Sequence, residues 1–257
     1  MDCLTTKKCF KWNKDKRIGN IIIIVEGESD EFKLLKKVFV DILDYNYFEK
    51  KKNKKLKQVN RNNSTSNTIY VFNSANSNIK SILNTDDLYY YLRDDYHEDI
   101  TNVPVYIIWD RDYDSNDKND VANSIELYSK YNESSIVDAM LYLSYPCIET
   151  YMLSNFDNKL YKKSYISSKK TKSAYKQSRF TLDKIDENTI ITSICNMHNS
   201  FKKNYNIQSY DLDNIYNINN KVFNAQEIHF AKEKSIMAVS FISILLLNLG
   251  IVVETEN

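Results

Sequence analysis

The residues best placed to do chemistry in this chain are carboxylates that follow apolar runs. Ile21–Val25 leads directly into Glu26 and Gly27, and the run from Val103 to Trp109 leads into Asp110, Arg111 and Asp112. In an extended segment, residues i and i+2 point to the same side. Asp110 and Asp112 therefore both face the Glu26 turn if the two strands are neighbours. Converging carboxylates repel one another unless a cation joins them, and hard oxygen ligands of this kind suit Mg²⁺ or Mn²⁺. A lone Asp-X-Asp pair carries little weight. A buried strand ending in Glu-Gly beside a second ending in Asp-Arg-Asp is much more specific. Asp114, Asp117 and Asp120 read as a solvated acidic loop.

Composition removes several other chemistries. The chain has 257 residues and only three glycines, Gly19, Gly27 and Gly250, so neither a dinucleotide fingerprint nor a P-loop fits. There is no Gly-X-Ser-X-Gly elbow, and the histidines His97, His198 and His229 are too scattered for a zinc-protease helix. A net charge of +1 provides no global field for nucleic acid, so any basic surface must be local. The cysteines Cys3, Cys9, Cys147 and Cys195 form no Cys-X-X-Cys pair, and no signal-peptide pattern opens the chain. The expectation is free thiols in a reducing cytoplasm, with a Cys3–Cys9 link as the alternative.

The elements that must position these residues alternate. Ile21–Val25, four isoleucines and a valine, reads as a strand buried on both faces. Phe32, Leu35, Val38, Phe39 and Ile42 then recur at helical spacing, with Asp30 and Glu31 as negative charge in the first turn. Thr68–Phe72, Val103–Asp110 and Asp138–Ser144 read as further strands. Ser77–Leu83, Leu88–Tyr96, Val121–Tyr131 and Cys147–Leu153 read as helices. The expected fold is α/β, a mostly parallel sheet flanked by helices. Open sheets of this kind hold ligands at the carboxyl ends of their strands, where Glu26 stands. Residues 1–20 read as an arm whose aromatics cover part of the core. Residues 157–257 read as a basic segment and helical extension packing on that core. Leu182–Tyr205 is expected to be helical, and Glu227–Gly250 a long helix stopped by Gly250. Ser235–Val253 carries no charge and is long enough to cross a bilayer. Its serines and Asn248 favour a core helix and a short terminal strand, so no membrane is expected.

The segments VEGESD (Val25–Asp30) and IIWDRD (Ile107–Asp112) resemble the Toprim domain of topoisomerases, bacterial primases and OLD-type nucleases, over residues 21–156. The resemblance implies that Glu26 serves acid–base catalysis or metal binding and that Asp110 and Asp112 hold divalent metal. Asp30 matches a second acidic ligand of OLD-type nucleases; the alternative is helix N-terminal charge. SYPCIETYMLSNF (Ser144–Phe156) resembles a segment of the RloB-like Toprim proteins of restriction and phage-defence loci. There Glu149 matches the acidic residue; the alternative is a helix-start charge. Where RloB-like proteins tend to carry a Thr-Glu pair this chain has Glu-Ser-Asp-Glu, and its C-terminal region matches nothing in that family. OLD-type nucleases also use a lysine near the C-terminal helix, for which Lys234 is the candidate, beside Lys232; a solvated helix start is the alternative.

The function these features imply is a Mg²⁺- or Mn²⁺-dependent endonuclease with two ions, acting on DNA or RNA as an anti-phage effector. A non-catalytic nucleic-acid- or partner-binding module on a Toprim scaffold is the alternative. Lys162, Lys163, Lys169, Lys170, Lys172, Lys176 and Arg179, interleaved with Tyr161, Tyr165 and Tyr175, are the expected phosphate contacts. Lys50–Lys57 with Arg61 forms a second basic cluster. Solvated loops are the alternative for both. Nothing in the chain resembles a motor. ATP dependence would come from a partner ATPase, implied by the resemblance alone, and self-association into a homo-oligomer is compatible with it.

Overall fold

The computed structural model describes residues 9–13, 15–27, 29–50, 53–58, 67–74, 78–81, 94, 103–128, 139–209, 212 and 215–255. Its centre is β2 (Ile21–Val25), with every residue buried. β-Branched side chains suit such a strand because they pack on both faces of the pleat. β2 pairs in parallel with β5 (Asn67–Asn73) on one side and β6 (Val105–Asp110) on the other. β6 in turn pairs in parallel with β7 (Ala139–Tyr145), in a register that sets Asp110 opposite Ser144. These four strands, in the order β7-β6-β2-β5, form the middle of a seven-stranded sheet.

The centre of the sheet is parallel, as expected, and both of its edges are antiparallel, so the sheet is mixed. On one side β3 (Asn46–Lys50) and β4 (Asn53–Gln58) form a hairpin that extends β5. The lysine run from Lys50 to Lys57 therefore lies largely along this hairpin and is not a loop. On the other side β10 (Val239–Ser240) pairs with the end of β7. Arg61, Lys51, Lys52 and the segment Leu88–Tyr96, except Asp94, lie outside the described residues.

α1 (Asp30–Lys36) follows the β2 turn and continues as a π-helical stretch, Lys37–Ile42. α2 (Lys118–Leu127) starts at Asp117, whose carboxylate caps the Asn119 amide at 2.8 Å. Asp117 is thus a helix cap rather than a free loop charge. α3 (Glu149–Ser154) follows β7. A two-stranded ladder, β8 (Ser164–Tyr165) with β9 (Ile236–Met237), brings the basic segment beside the C-terminal region. α4 (Ser168–Gln177) carries most of the basic residues. α5 (Glu187–Asn204) opens on a reciprocal capping box between Asp186 and Thr189.

The expected helix from Glu227 to Gly250 is instead two helices with strands between them. α6 (Ile215–Glu233) ends before Lys234, whose φ of 52° breaks the helix. β9 and β10 follow, and then the short, fully buried α7, Ile242–Asn248. A continuous apolar run has no polar face to report its period, and Ile236 and Val239 satisfy their backbones in ladders. Gly250 does stop a helix. At φ 67° its amide reaches Leu247, and the Ile251 amide reaches Leu246, the paired bonds of a Schellman motif. Among the described residues no helix is long and apolar enough to cross a membrane.

β1 (Cys9–Trp12) pairs antiparallel with β11 (Val252–Thr255), and Phe10 is buried, so the arm is part of the core. One hydrophobic cluster extends from Phe10 through the sheet to α5, α6, α7 and Val252. The C-terminal region therefore shares the core of the sheet. Cys147 is a free thiol, whereas Cys195 is disulfide-bonded, which corrects the expectation that every cysteine is a free thiol.

Candidate metal centre

Parallel pairing decides where the carboxylates go. β2, β6 and β7 run in one direction, so the chain leaves all three at the same edge of the sheet. Glu26 leaves β2, Asp110 is the last residue of β6, and Cys147 and Glu149 follow β7 by two and four residues. The Asp110 amide donates to Glu26 Oε2 at 3.2 Å, which ties the β2 turn to the end of β6. Beyond β6 the backbone stays attached to the next chain segment. The Arg111 amide reaches the Ser144 carbonyl at 2.9 Å and the Asp112 amide the Pro146 carbonyl at 3.1 Å.

Asp110, Cys147 and Glu149 each offer a ligand atom, and these atoms lie within 4.8 Å of one another. All three residues are buried. One oxygen of Glu149, Oε2, is buried with no hydrogen-bond partner. An unpaired carboxylate oxygen is costly in such a place, and a cation would satisfy it. The donor set therefore fits a divalent ion.

Glu31, which the sequence pattern marks only as helix-start charge, joins this group. It shares the buried face of α1 with Leu34 and Leu35, while Asp30 and Lys33 face solvent. Its carboxylate lies over Gly27, where a Cβ would stand 2.7 Å from Glu31 Oε2. Only a glycine leaves that space open. Burial raises the Glu31 pKa, and the charges of Asp30 and Glu149 add to it. Burial likewise pushes Glu26 up to about 7, against the Asp110 amide and with the help of Glu31. Asp110 is held well above the usual carboxylate range by burial and by the charges of Glu26, Glu31 and Glu149. Cys147 is held as a neutral thiol by burial and by Asp110 and Glu149.

Among the described residues, Lys172 is the cation whose charge acts on Glu26, Glu31, Asp110 and Cys147 together. Burial lowers its own pKa, but Glu149, Asp110 and Glu26 outweigh burial and leave it raised. Lys172 was expected only as a phosphate contact. Lys234 follows α6 rather than opening a helix. It is exposed and, among the described residues, makes no hydrogen bond or ion pair with the carboxylates. Lys232 pairs with Glu233.

Asp112 is half-buried and largely committed to local bonds. Its Oδ1 accepts from Ser168 Oγ at 2.8 Å and from the Asp114 amide at 3.3 Å, and its Oδ2 accepts from Ser115 Oγ at 2.9 Å. The strand has already ended at Asp110, so the alternation of an extended chain no longer governs residue 112. Its charge still acts on Glu26. Asp30 is exposed and pairs with Lys33 at 3.7 Å. Of the other basic residues, Lys169, Lys170, Lys176 and Arg179 are exposed on or just after α4. Lys163 pairs with Asp157 at 2.7 Å, and Lys162 lies over the Tyr161 ring.

Arg111 turns away from the carboxylates into the core. Its guanidinium donates to Glu227 Oε1 at 2.8 Å and to the Asn116 carbonyl at 2.8 Å, and it stacks on the Tyr113 ring at 3.9 Å. Asn116 closes this loop by donating to the Asp110 carbonyl and accepting from the Ile79 amide. Comparisons of the chain with protein-family models, with curated proteins and with solved structures found no match.

Two outcomes follow from this geometry. Glu227→Ala leaves the Arg111 charge buried and unpaired, and urea denaturation is expected to show a loss of about 3–5 kcal/mol. The second concerns pH. With Glu26 raised from 4.5 to about 7, the folded metal-free protein holds a proton that the unfolded chain has released. Stability therefore falls as pH rises from about 4.5 through about 7. In EDTA the melting temperature should decline over that window. Glu26→Gln should flatten the decline and raise the midpoint at neutral pH, by roughly 2–4 °C per kcal/mol of strain relieved. A pH-independent midpoint in the wild type would contradict the assignment.

Proposed function

We propose that this protein is a divalent-metal-dependent nuclease of the Toprim type that cleaves phosphodiester bonds in nucleic acid. The observation that carries the reading is the meeting of Glu26, Glu31, Asp110 and Glu149 at one sheet edge, beside a helix studded with lysine. Carboxylates are not normally buried together without a cation. Asp110 and Glu149 would hold the ion, with Glu26, Glu31 and the free capacity of Asp112 beside it. A divalent ion there supplies Lewis acidity and neutralises charge on a phosphoryl oxygen.

The chain's own groups supply the rest. Glu26, held near neutral by its surroundings, is suited to take a proton from an attacking water, because general bases work best near the operating pH. Lys172, exposed on α4, offsets the negative charge of the site. Lys169, Lys170 and Lys176 present charge along that helix for a phosphate backbone. A cytoplasmic anti-phage role, a partner ATPase and a homo-oligomer belong to this proposal through the Toprim and RloB-like resemblance.

One observation favours a second reading, a binding module without turnover. The Asp112 carboxylate is bonded to Ser168, Ser115 and the Asp114 amide, which leaves less of it for an ion.

The deciding experiment incubates the protein with plasmid, single-stranded DNA and tRNA in Mg²⁺, Mn²⁺ or EDTA. The expected result is metal-dependent cleavage that falls roughly 10²–10⁴-fold in Glu26→Gln and disappears in Asp110→Asn, with binding retained. Cleavage unchanged in both variants, or absent from the wild type, defeats the nuclease reading. A separate titration measures nucleic-acid affinity against salt. Neutralising Lys169, Lys170 and Lys176 should flatten the slope by about 0.7–0.9 for each phosphate that the helix no longer grips, with turnover at saturation little changed. An unaltered slope would show that α4 is only a solvated face.

A further inference from the structure

Asp110, Cys147 and Glu149 form the tightest group of potential ligands at the site, and one of its three ligand atoms is sulfur. Cys147 is fully buried, and the hydrogen bond from its thiol to the Ser168 carbonyl is long, at 3.8 Å. Around a tetrahedral ion, bonds of about 2.3 Å to sulfur and about 2.0–2.2 Å to oxygen place neighbouring ligand atoms roughly 3.5 Å apart. The three atoms, at most 4.8 Å apart, need to close by little more than an ångström. The buried Glu149 Oε2, which has no hydrogen-bond partner among the described residues, supplies a ligand oxygen.

We propose that Cys147 ligates metal through its sulfur, and that Asp110, Cys147 and Glu149 together take a thiophilic divalent ion of the zinc class in preference to magnesium. This rests on the reading of the site as a cation centre and adds which ion it selects. Soft thiolate sulfur favours zinc-class ions, whereas magnesium keeps to oxygen. As the metal–sulfur bond forms, the thiol proton passes to buffer, so binding releases a proton. Two carboxylates and a thiolate exceed the charge of one divalent ion by one, and Lys172 supplies the balancing positive charge. Three protein ligands leave a fourth position open, the arrangement of catalytic rather than structural zinc.

The test uses the full chain carrying Cys9→Ser, so that among the described residues Cys147 is the thiol the titration follows. After EDTA treatment and dialysis, Cd²⁺ is titrated and the ultraviolet sulfur-to-metal charge-transfer band is followed. Zn²⁺ and Mg²⁺ are titrated calorimetrically. The expected result is a band saturating near one equivalent, lost in Cys147→Ser. Zn²⁺ affinity should fall there by more than the roughly 10–100-fold typical of losing a supporting residue, while Mg²⁺ binding is unchanged. Glu149→Gln keeps the thiol and should weaken Cd²⁺ binding, which covers the case in which Cys147→Ser does not fold. Absence of the band, its persistence in Cys147→Ser, or a band indifferent to Glu149→Gln overturns the proposal. A Cys147-dependent band without cleavage of any nucleic acid leaves the ion site standing and removes the nuclease. Magnesium-supported cleavage with no band does the reverse.

Discussion

Four carboxylates are forced together at one edge of a sheet, and the rest of the structure has to hold them there. Glu26, Glu31, Asp110 and Glu149 each raise the energy of ionising a neighbour. In water such groups would separate. Here they cannot, because parallel pairing delivers the ends of β2, β6 and β7 to one place and the continuous core fixes those strands. The repulsion is set against hydrophobic burial on a much larger scale, since each fully buried Ile or Leu contributes about 1.5–3 kcal/mol. A site of this kind needs a large rigid scaffold, and the C-terminal region provides part of it by joining the core and extending the sheet through β10.

The Asp-Arg-Asp segment shows how that scaffold reaches individual side chains. Asp110, the last strand residue, points into the cluster, and Arg111 points the other way, to Glu227 on α6 and the ring of Tyr113. The buried ion pair fixes the rotation of the segment. Breaking a buried pair costs far more than its net contribution, so the pair acts as a lock. Its sequence partner, Glu227, is more than a hundred residues away and carries no local signal.

What could be read from the sequence follows the same physics. The buried strand at Ile21–Val25 and the strand ending at Asp110 were legible because β-branched runs and strand ends obey local rules, whereas Glu149 stood out only through the RloB-like resemblance. Glu31 was within reach too. Leu34 and Leu35 stand three and four residues after it, which puts it on the buried face and Asp30 on the wet one. Asp112 misled because period-two alternation was carried past the end of the strand. The division of Glu227–Gly250 into two helices and two strands was not legible. Its pairing partners, Lys163, Ser164, Tyr165 and Ser144, lie far back in the chain. Lys172 was noticed for its charge alone, because only the folded chain sets it against the carboxylates.

The basic helix and the acidic site meet at one residue. Ser168 opens α4, donates its hydroxyl to Asp112 and accepts the Cys147 thiol at its carbonyl. The first turn of α4 therefore lies against Asp112. The helix then presents Lys169, Lys170, Lys172 and Lys176 at the surface, and the Lys172 charge acts on the carboxylates. A change in charge among the carboxylates thus acts on α4 at two points, its first turn and the Lys172 ammonium. The exposed lysines and the Lys172 ammonium, whose charge acts on the carboxylates, are thus carried by a single ten-residue helix, so a displacement of that helix changes both.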